Sequence, residues 1–441
     1  MPTYQDSFGL KLTTCSDAAA AAWDRAVSES LEHRLSASER VKEALEADPD
    51  CVMAVVFRGA MMLMIGTNQV HGKVAEIVAR AKQLSSSATP REQMHVAALE
   101  HWSNGETTKA RAVWQEIVGQ WPADLVALRM HHHASFWSGD RKDLLSAPLA
   151  VFDALGEQAP GVNFVKGMVA FGCEENGDYA QAEKFGREGM EANENDLWSL
   201  HAVAHVLEMQ CRHDEGRDLL NYPFGTWADR TPFKDHLWWH SALFALEQGD
   251  TERVLNLYDK EVRVDENGFY LDVQNAASLL KRLELVGIDV GARWDELADL
   301  AERRTSDHVM PFTDAHFMLA LVGAGRLEAA RSYLASLKTF AREGGNDAAK
   351  VTNDVLVPLC EGLLAYGEGR DTEAADILCA FDHDLSPLGA SHAQRDIFQQ
   401  IKIDAVTRAG RYDVARGMLE ARDRQRPGSH WARDKLESLP E

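Results

Sequence analysis

The sequence predicts an all-α fold, a right-handed superhelical solenoid of tetratricopeptide-like helix-turn-helix repeats. Three observations carry that expectation. A phrase recurs in which a helical stretch reaches a Gly, meets a polar or charged residue and continues as an alanine-rich helix. Its glycines are Gly105, Gly139, Gly177, Gly249, Gly287, Gly325, Gly369 and Gly410. The steps are regular: 34 residues from Gly105 to Gly139, 38 to Gly177, 38 for each step from Gly249 to Gly325, then 44 and 41. Two-helix units that stack on copies of themselves run from about 34 to about 47 residues. Strand signals are nearly absent, with no sustained alternation of Val, Ile or Thr with polar residues.

Each part of the phrase has a physical reason. The first helix of a pair ends at a residue that can take a left-handed backbone, usually Gly. The small side chains of the second helix let it pack closely on the first. Pro stops second helices at Trp121-Pro122 and Arg426-Pro427. ENGDYAQAEKFGREGMEANEND is the best single unit, with Gly177 as turn, Tyr179 as wedge, and Ala182 and Ala192 as close contacts. Between Gly177 and Gly249 the turn reads CRHDEGRDLL, with Arg212 near the place of the missing Gly.

Before about Arg91 the pattern is less regular. CVMAVVFRGAMMLMIG, from Cys51, is short and carries Arg58, so it reads as a buried helix and not a membrane span. SSSATPREQMHV reads as a loop followed by a helix that starts at Thr89-Pro90-Arg91-Glu92. The expected organisation is an N-terminal helical region with the first repeats over 1–90, continuous with a solenoid over 91–441.

Composition narrows the partners. The 441 residues are 45% hydrophobic and 26% charged, ordinary for a globular chain. A net charge of -23 repels phosphate over most of the surface, which excludes nucleic acid and anionic membranes as main partners. Cys15, Cys51, Cys173, Cys211, Cys360 and Cys379 are scattered without a CxxC pair, which fits a reducing compartment. The N-terminal residues lack a basic and apolar leader, so the expected location is cytoplasmic.

The blocks REQMHVAALEHWSNG, GMVAFGCEENGDYAQAE, HAVAHVLEM, LWWHSALFALEQGD, SLLKRLELVGIDVGARW, FTDAHFMLALVGAG and SHAQRDIFQQ are similar to the tetratricopeptide repeat protein 38 family. The resemblance runs from about Ala18 to Arg426 with the blocks in the same order. It implies a cytosolic α-solenoid and brings no reaction or catalytic residues with it. These blocks are rich in His, Trp, Asp and Arg, which a helical repeat does not need.

Two segments concentrate that chemistry. In WSLHAVAHVLEM, His201, His205 and Glu208 recur at i, i+4 and i+7, one stripe of a helix. The spacing suits two metal ligands, but Ala202 stands where HExxH needs its general base, so zincin chemistry is excluded. In HLWWHSALFALE, His236 and His240 repeat the spacing around Trp239, and Glu247 lies too far along to join them. If both segments are first helices of neighbouring pairs, the two stripes face one another and four imidazoles converge with Glu208. Otherwise one stripe is buried under Trp packing.

HHHASFWSGD offers His132 and Phe136 on one face, balanced against surface histidines near a helix end. FTDAHF places Asp314 as a helix cap with His316 projecting from the first turn. SHAQRDIF offers Ser391 as a cap, Arg395 as a fork for a carboxylate, phosphate or buried acid, and Asp396. Nucleotide-binding, Ser-hydrolase and zinc-ribbon motifs are absent.

The function read from these residues is a small-molecule-binding protein or enzyme with a His- and Trp-lined pocket in the concave face. His201, His205, Glu208, His236 and His240 would be its acid-base groups. His132, Phe136, Trp239, Asp314, His316, Arg395 and Asp396 would bind substrate. The alternative is a protein-interaction scaffold that holds a peptide or helix in its groove. A further alternative is a metal-dependent enzyme with a divalent metal on His201, His205 and His240; no other cofactor is expected.

Overall fold

The computed structural model describes residues 4–263, 268–380 and 385–440. The fold is all-α. Strand pairing among the described residues is confined to an antiparallel match of Tyr4–Gln5 with Lys11–Leu12 and an isolated bridge between Arg34 and Arg230. No helix among them is long and apolar enough to cross a membrane. The chain divides into two compact units, Met1–Val203 with Trp227–Thr231, and Ala204–Thr226 with Pro232–Glu441.

In the first unit each helix packs on the next: Asp17–Leu31, Ala37–Ala47, Val52–Leu63, His71–Leu84, Pro90–Ser103, Thr107–Gln120, Leu125–Trp137, Arg141–Leu155, Val162–Glu175 and Tyr179–Ala192. The helix that follows Cys51 is buried apart from Arg58, Met61 and Met62, as its composition predicts. Thr89 and Glu92 open Pro90–Ser103 with a reciprocal capping box.

The second unit follows the same logic with longer reach. Phe233–Glu247 packs on Tyr270–Leu285, which packs on Pro311–Gly323, which packs on Val357–Gly367. These are the first helices of successive pairs. Their partners, Thr251–Leu257, Arg293–Arg303, Leu327–Glu343 and Asp371–Ala380, flank them. His392–Arg408 then returns to Tyr270–Leu285, and Tyr412–Gln425 packs on it. That return brings residues near 282, 396 and 426 to one place. Trp238, Trp239, Phe244, Phe312, Phe317 and Tyr333 are fully buried in this unit. A buried side chain of this size contributes about 1.5–3 kcal/mol of transfer free energy.

The glycines of the recurring phrase all take positive φ, from 68° at Gly139 to 83° at Gly177 and Gly287. Gly249 shows why. An added Cβ would meet nothing within 4 Å, so the backbone angle and not the space selects Gly there. The missing Gly of the series is replaced by Cys211 at φ 54°, one residue before the Arg212 that the sequence suggests. Arg212 is the residue that precedes helix His213–Leu219.

Candidate functional site

Helix Phe233–Glu247 begins after Pro232 and is buried almost all round. Its interior therefore has to place polar side chains against partners, and it does so on the neighbouring Tyr270–Leu285 helix. His236 Nδ1 lies 2.8 Å from Asn275 Oδ1, and Trp239 Nε1 donates to Ser278 Oγ at 3.0 Å. The His236 ring stacks on Trp239 with centroids 5.0 Å apart and planes 13° apart. One turn on, His240 Nδ1 lies 2.9 Å from Glu208 Oε2.

His205, one turn before Glu208 on helix Leu197–Met209, completes the group. Its ring is 4.5 Å from that of His240, which is 4.7 Å from that of His236. One nitrogen from each of the three lies within 4.8 Å of the others, and all three side chains are buried. The oxygens of Asn275 and Glu208 accept, so Nδ1 of His236 and of His240 carries the proton. On a neutral ring protonated at Nδ1, the lone pair is on Nε2.

Glu208 joins this group to a charged layer. Its Oε1 accepts from Arg426 Nη2 at 3.2 Å, and Arg426 Nη1 lies 3.4 Å from Asp396 Oδ2. Arg422 grips Asp396 with a two-pronged fork, one arm at 2.8 Å, and Gln400 Nε2 donates to the same carboxylate at 2.8 Å. Burial would raise the Glu208 carboxyl, but the His240 hydrogen bond and the Arg426 charge outweigh it and hold it well below the usual range. Burial acts likewise on Asp396, where Arg422 and Arg426 win.

Arg282 is buried beside them and donates to the carbonyls of Ser278 at 3.3 Å and Ala393 at 3.0 Å. Its guanidinium carbon stands 5.5 Å from the Trp239 ring centroid, and burial lowers its pKa to about 10. A cavity of about 410 Å³ opens on this layer, with Glu208, Arg282, Asp396 and Arg426 in its wall.

The remaining candidates take other roles. Asp314 does not cap its helix, since Met310 occupies that position and Asp314 lies within Pro311–Gly323. Its carboxylate accepts instead from Tyr333 and approaches His308 Nδ1 at 3.2 Å. His316 lies beyond the first turn, donates through Nδ1 to the Phe312 carbonyl at 2.8 Å and packs on Phe398. Burial lowers its pKa to about 4. Ser391 is the cap that its sequence suggests, in a reciprocal box with Gln394. Arg395 donates to the carbonyls of Gly389 and Ala390, so it ties down the turn before its own helix. Glu247 stays out of the His group and accepts from the His430 backbone N–H at 2.7 Å.

In the first unit, His132 and Phe136 share a face as their spacing implies. His132 packs edge-on to Trp198 at 5.5 Å, and Phe136 meets Phe171 at 5.7 Å. His201 belongs to this aromatic group, stacked on Phe171 at 5.2 Å and 5.0 Å from Trp198. His131 and His132 are buried, which corrects the reading of surface histidines near a helix end.

Sequence reasoning did not select Asn275, Arg282, Arg422 or Arg426. Arg422 and Arg426 are one turn apart just before Pro427, where the sequence offers the helix stop and no sign of an acidic partner.

No family model matches the chain. Among solved structures it is similar to the crystal structure of yeast Tom70, at 11% identity over 95% of each chain with a TM-score of 0.37. It is similar to the P58(IPK) TPR domain at 14% identity over 95% of this chain and 96% of that one, with a TM-score of 0.22. The structure of Naa15/Naa10 bound to HypK-THB is 10% identical, covers 95% of this chain and 65% of that one, and has a TM-score of 0.25.

Proposed function

We propose that this chain is a cytoplasmic interaction scaffold of tetratricopeptide type that holds a helical peptide from a protein partner. One observation carries the reading. In the first unit, helices Ala37–Ala47 and Val52–Leu63 leave a groove of about 610 Å³ between them, lined by Val41, Leu45, Met61, Met62 and Ile65. Ile65 is 40% exposed, and Lys42, Glu46 and Arg58 are charged residues in the same lining. Val41 and Leu45 are one turn apart, as are Met61 and Ile65. An amphipathic helix fills such a trough with residues at i and i+4, and Met adapts to its shape. The six cysteines are free thiols, which supports the reducing location. The seven sequence blocks support membership of the tetratricopeptide repeat protein 38 family as part of the same proposal.

The test is selection of amphipathic-helix peptides from a display library on the whole chain. Selected peptides should bind the Met62→Asp variant at least tenfold more weakly, about 1.4 kcal/mol. Equal binding to both proteins overturns the groove.

A second reading has its own observation, the cavity walled by Glu208, Arg282, Asp396 and Arg426. Among the described residues Arg282 bonds carbonyls and no carboxylate, which suits a small ligand bearing a carboxylate or phosphate beside the His group as acid and base. A thermal shift with such ligands that survives Arg282→Gln counts against it.

A further inference from the structure

We propose that His205, His236 and His240 form a binding site for a divalent cation of the zinc type. The inference stands apart from the scaffold reading and uses none of the groove residues. Three features of the second unit carry it.

The first is the donor set. Three imidazoles present nitrogens within 4.8 Å of one another. Zinc–nitrogen bonds of about 2.0–2.1 Å in a tetrahedron put ligand nitrogens about 3.3 Å apart. Small rotations of the side chains close that difference. An all-imidazole set selects zinc, cobalt, nickel or copper over magnesium and calcium, which take oxygen ligands.

The second is the orientation of two rings. A histidine that ligates through Nε2 typically donates its Nδ1–H to a carboxylate or carbonyl, which fixes tautomer and plane. Both halves of that pattern are present. His240 Nδ1 meets the Glu208 carboxylate at 2.9 Å, and His236 Nδ1 meets the Asn275 amide oxygen at 2.8 Å. Stacking on Trp239 holds the His236 ring from its face.

The third is the support behind those acceptors. Glu208 is held by Arg426, which Asp396 holds in turn. Asn275 stands on the long Tyr270–Leu285 helix. The acceptors that aim the two rings therefore sit on rigid elements, as a metal site requires.

The experiment strips the whole purified chain with a chelator, then titrates it with zinc chloride by calorimetry and with cobalt(II) by visible absorption. Stoichiometric, sub-micromolar zinc and the intense visible bands of tetrahedral cobalt are expected. His236→Ala and His240→Ala should each weaken zinc at least 100-fold. Glu208→Gln, which changes a positioning residue, should weaken it about 10–100-fold. His101→Ala, in the first unit, should leave it unchanged and excludes adventitious surface binding. Absence of the cobalt bands in the unmutated chain overturns the proposal, whether or not the variants fold. So does zinc affinity that survives His236→Ala and His240→Ala together.

Discussion

Two buried clusters of the same residue types behave differently. In the first unit, Asp124 accepts from Arg91 at 2.5 Å and from the Ala127 backbone at 2.9 Å, and pairs with His95 Nε2 at 2.9 Å. It caps helix Leu125–Trp137 and ties it to Pro90–Ser103. One carboxylate answers one guanidinium and one imidazole, and the joint is closed. In the second unit, three imidazoles lie edge to face, with Glu208 facing His240 Nδ1 and Asn275 facing His236 Nδ1. A helix joint needs one such pair. Histidine burial is therefore a poor guide to role. Where each Nδ1 points, and whether the remaining nitrogens converge, separates a structural joint from a site that can take a ligand.

Opening the closed joint has the largest expected effect. Asp124→Ala leaves the buried Arg91 guanidinium without its paired carboxylate, with the Lys11 carbonyl as a remaining acceptor, and removes a helix cap. Loss of one partner of a buried pair costs about 3–5 kcal/mol. Burial opposes the Asp124 charge, yet His95 and Arg91 hold its carboxyl well below the ordinary range. Urea unfolding should show the full loss. A loss under about 1 kcal/mol sinks the claim that the joint is structural.

Acid should find the buried histidines next. His131 in the first unit and His316 in the second have pKa values lowered by burial to about 4, against 6.5 for the ordinary group. The folded state therefore favours the neutral ring. Each contribution is complete above pH 6.5 and is lost as the pH falls toward 4. The slope is about 1.4 kcal/mol per pH unit for each ring, so roughly 2 kcal/mol is lost by pH 5. Asp196 works the other way, since burial raises its pKa to about 6 and its protonation on folding recovers stability in acid. The readout is therefore the difference between proteins. His316→Gln and His131→Gln should each flatten the fall in urea stability between pH 7.5 and 5 by roughly 2 kcal/mol. Unchanged slopes would show that those rings titrate freely in the fold.

The sequence carried the architecture because turn chemistry is local. A positive-φ residue after a helix is a requirement of three or four residues, and Gly meets it visibly. The spacing of His236 and His240 around Trp239 was legible for the same reason. The partners were not, because 218 residues separate Glu208 from Arg426 and the intervening helices return only through tertiary packing. Asp314 misled because an acidic residue in a first turn looks like a cap. Tyr333, 19 residues after Asp314, and His308, six residues before it, draw the carboxylate away from the backbone. Arg395 misled in the opposite sense. A guanidinium looks like a fork for an acid, yet the carbonyls of a turn five and six residues earlier satisfy it.

The smallest effect tests the turn itself, at two equivalent positions with different residues. Cys211 takes φ 54° where the rest of the series has Gly, and Gly249 takes φ 75° with open space around its α-carbon. A left-handed backbone costs a residue with a Cβ about 1–2 kcal/mol, whereas Gly loses roughly 0.5–1 kcal/mol of entropy on ordering. Cys211→Gly should therefore raise stability by up to about 1 kcal/mol. Gly249→Ala should lower it by about 1 kcal/mol, through the backbone alone because nothing crowds the new methyl. Paired denaturation curves decide the matter. If Cys211→Gly destabilises, the thiol contributes packing that exceeds the strain, and the turn is specified by contacts as well as by backbone angle.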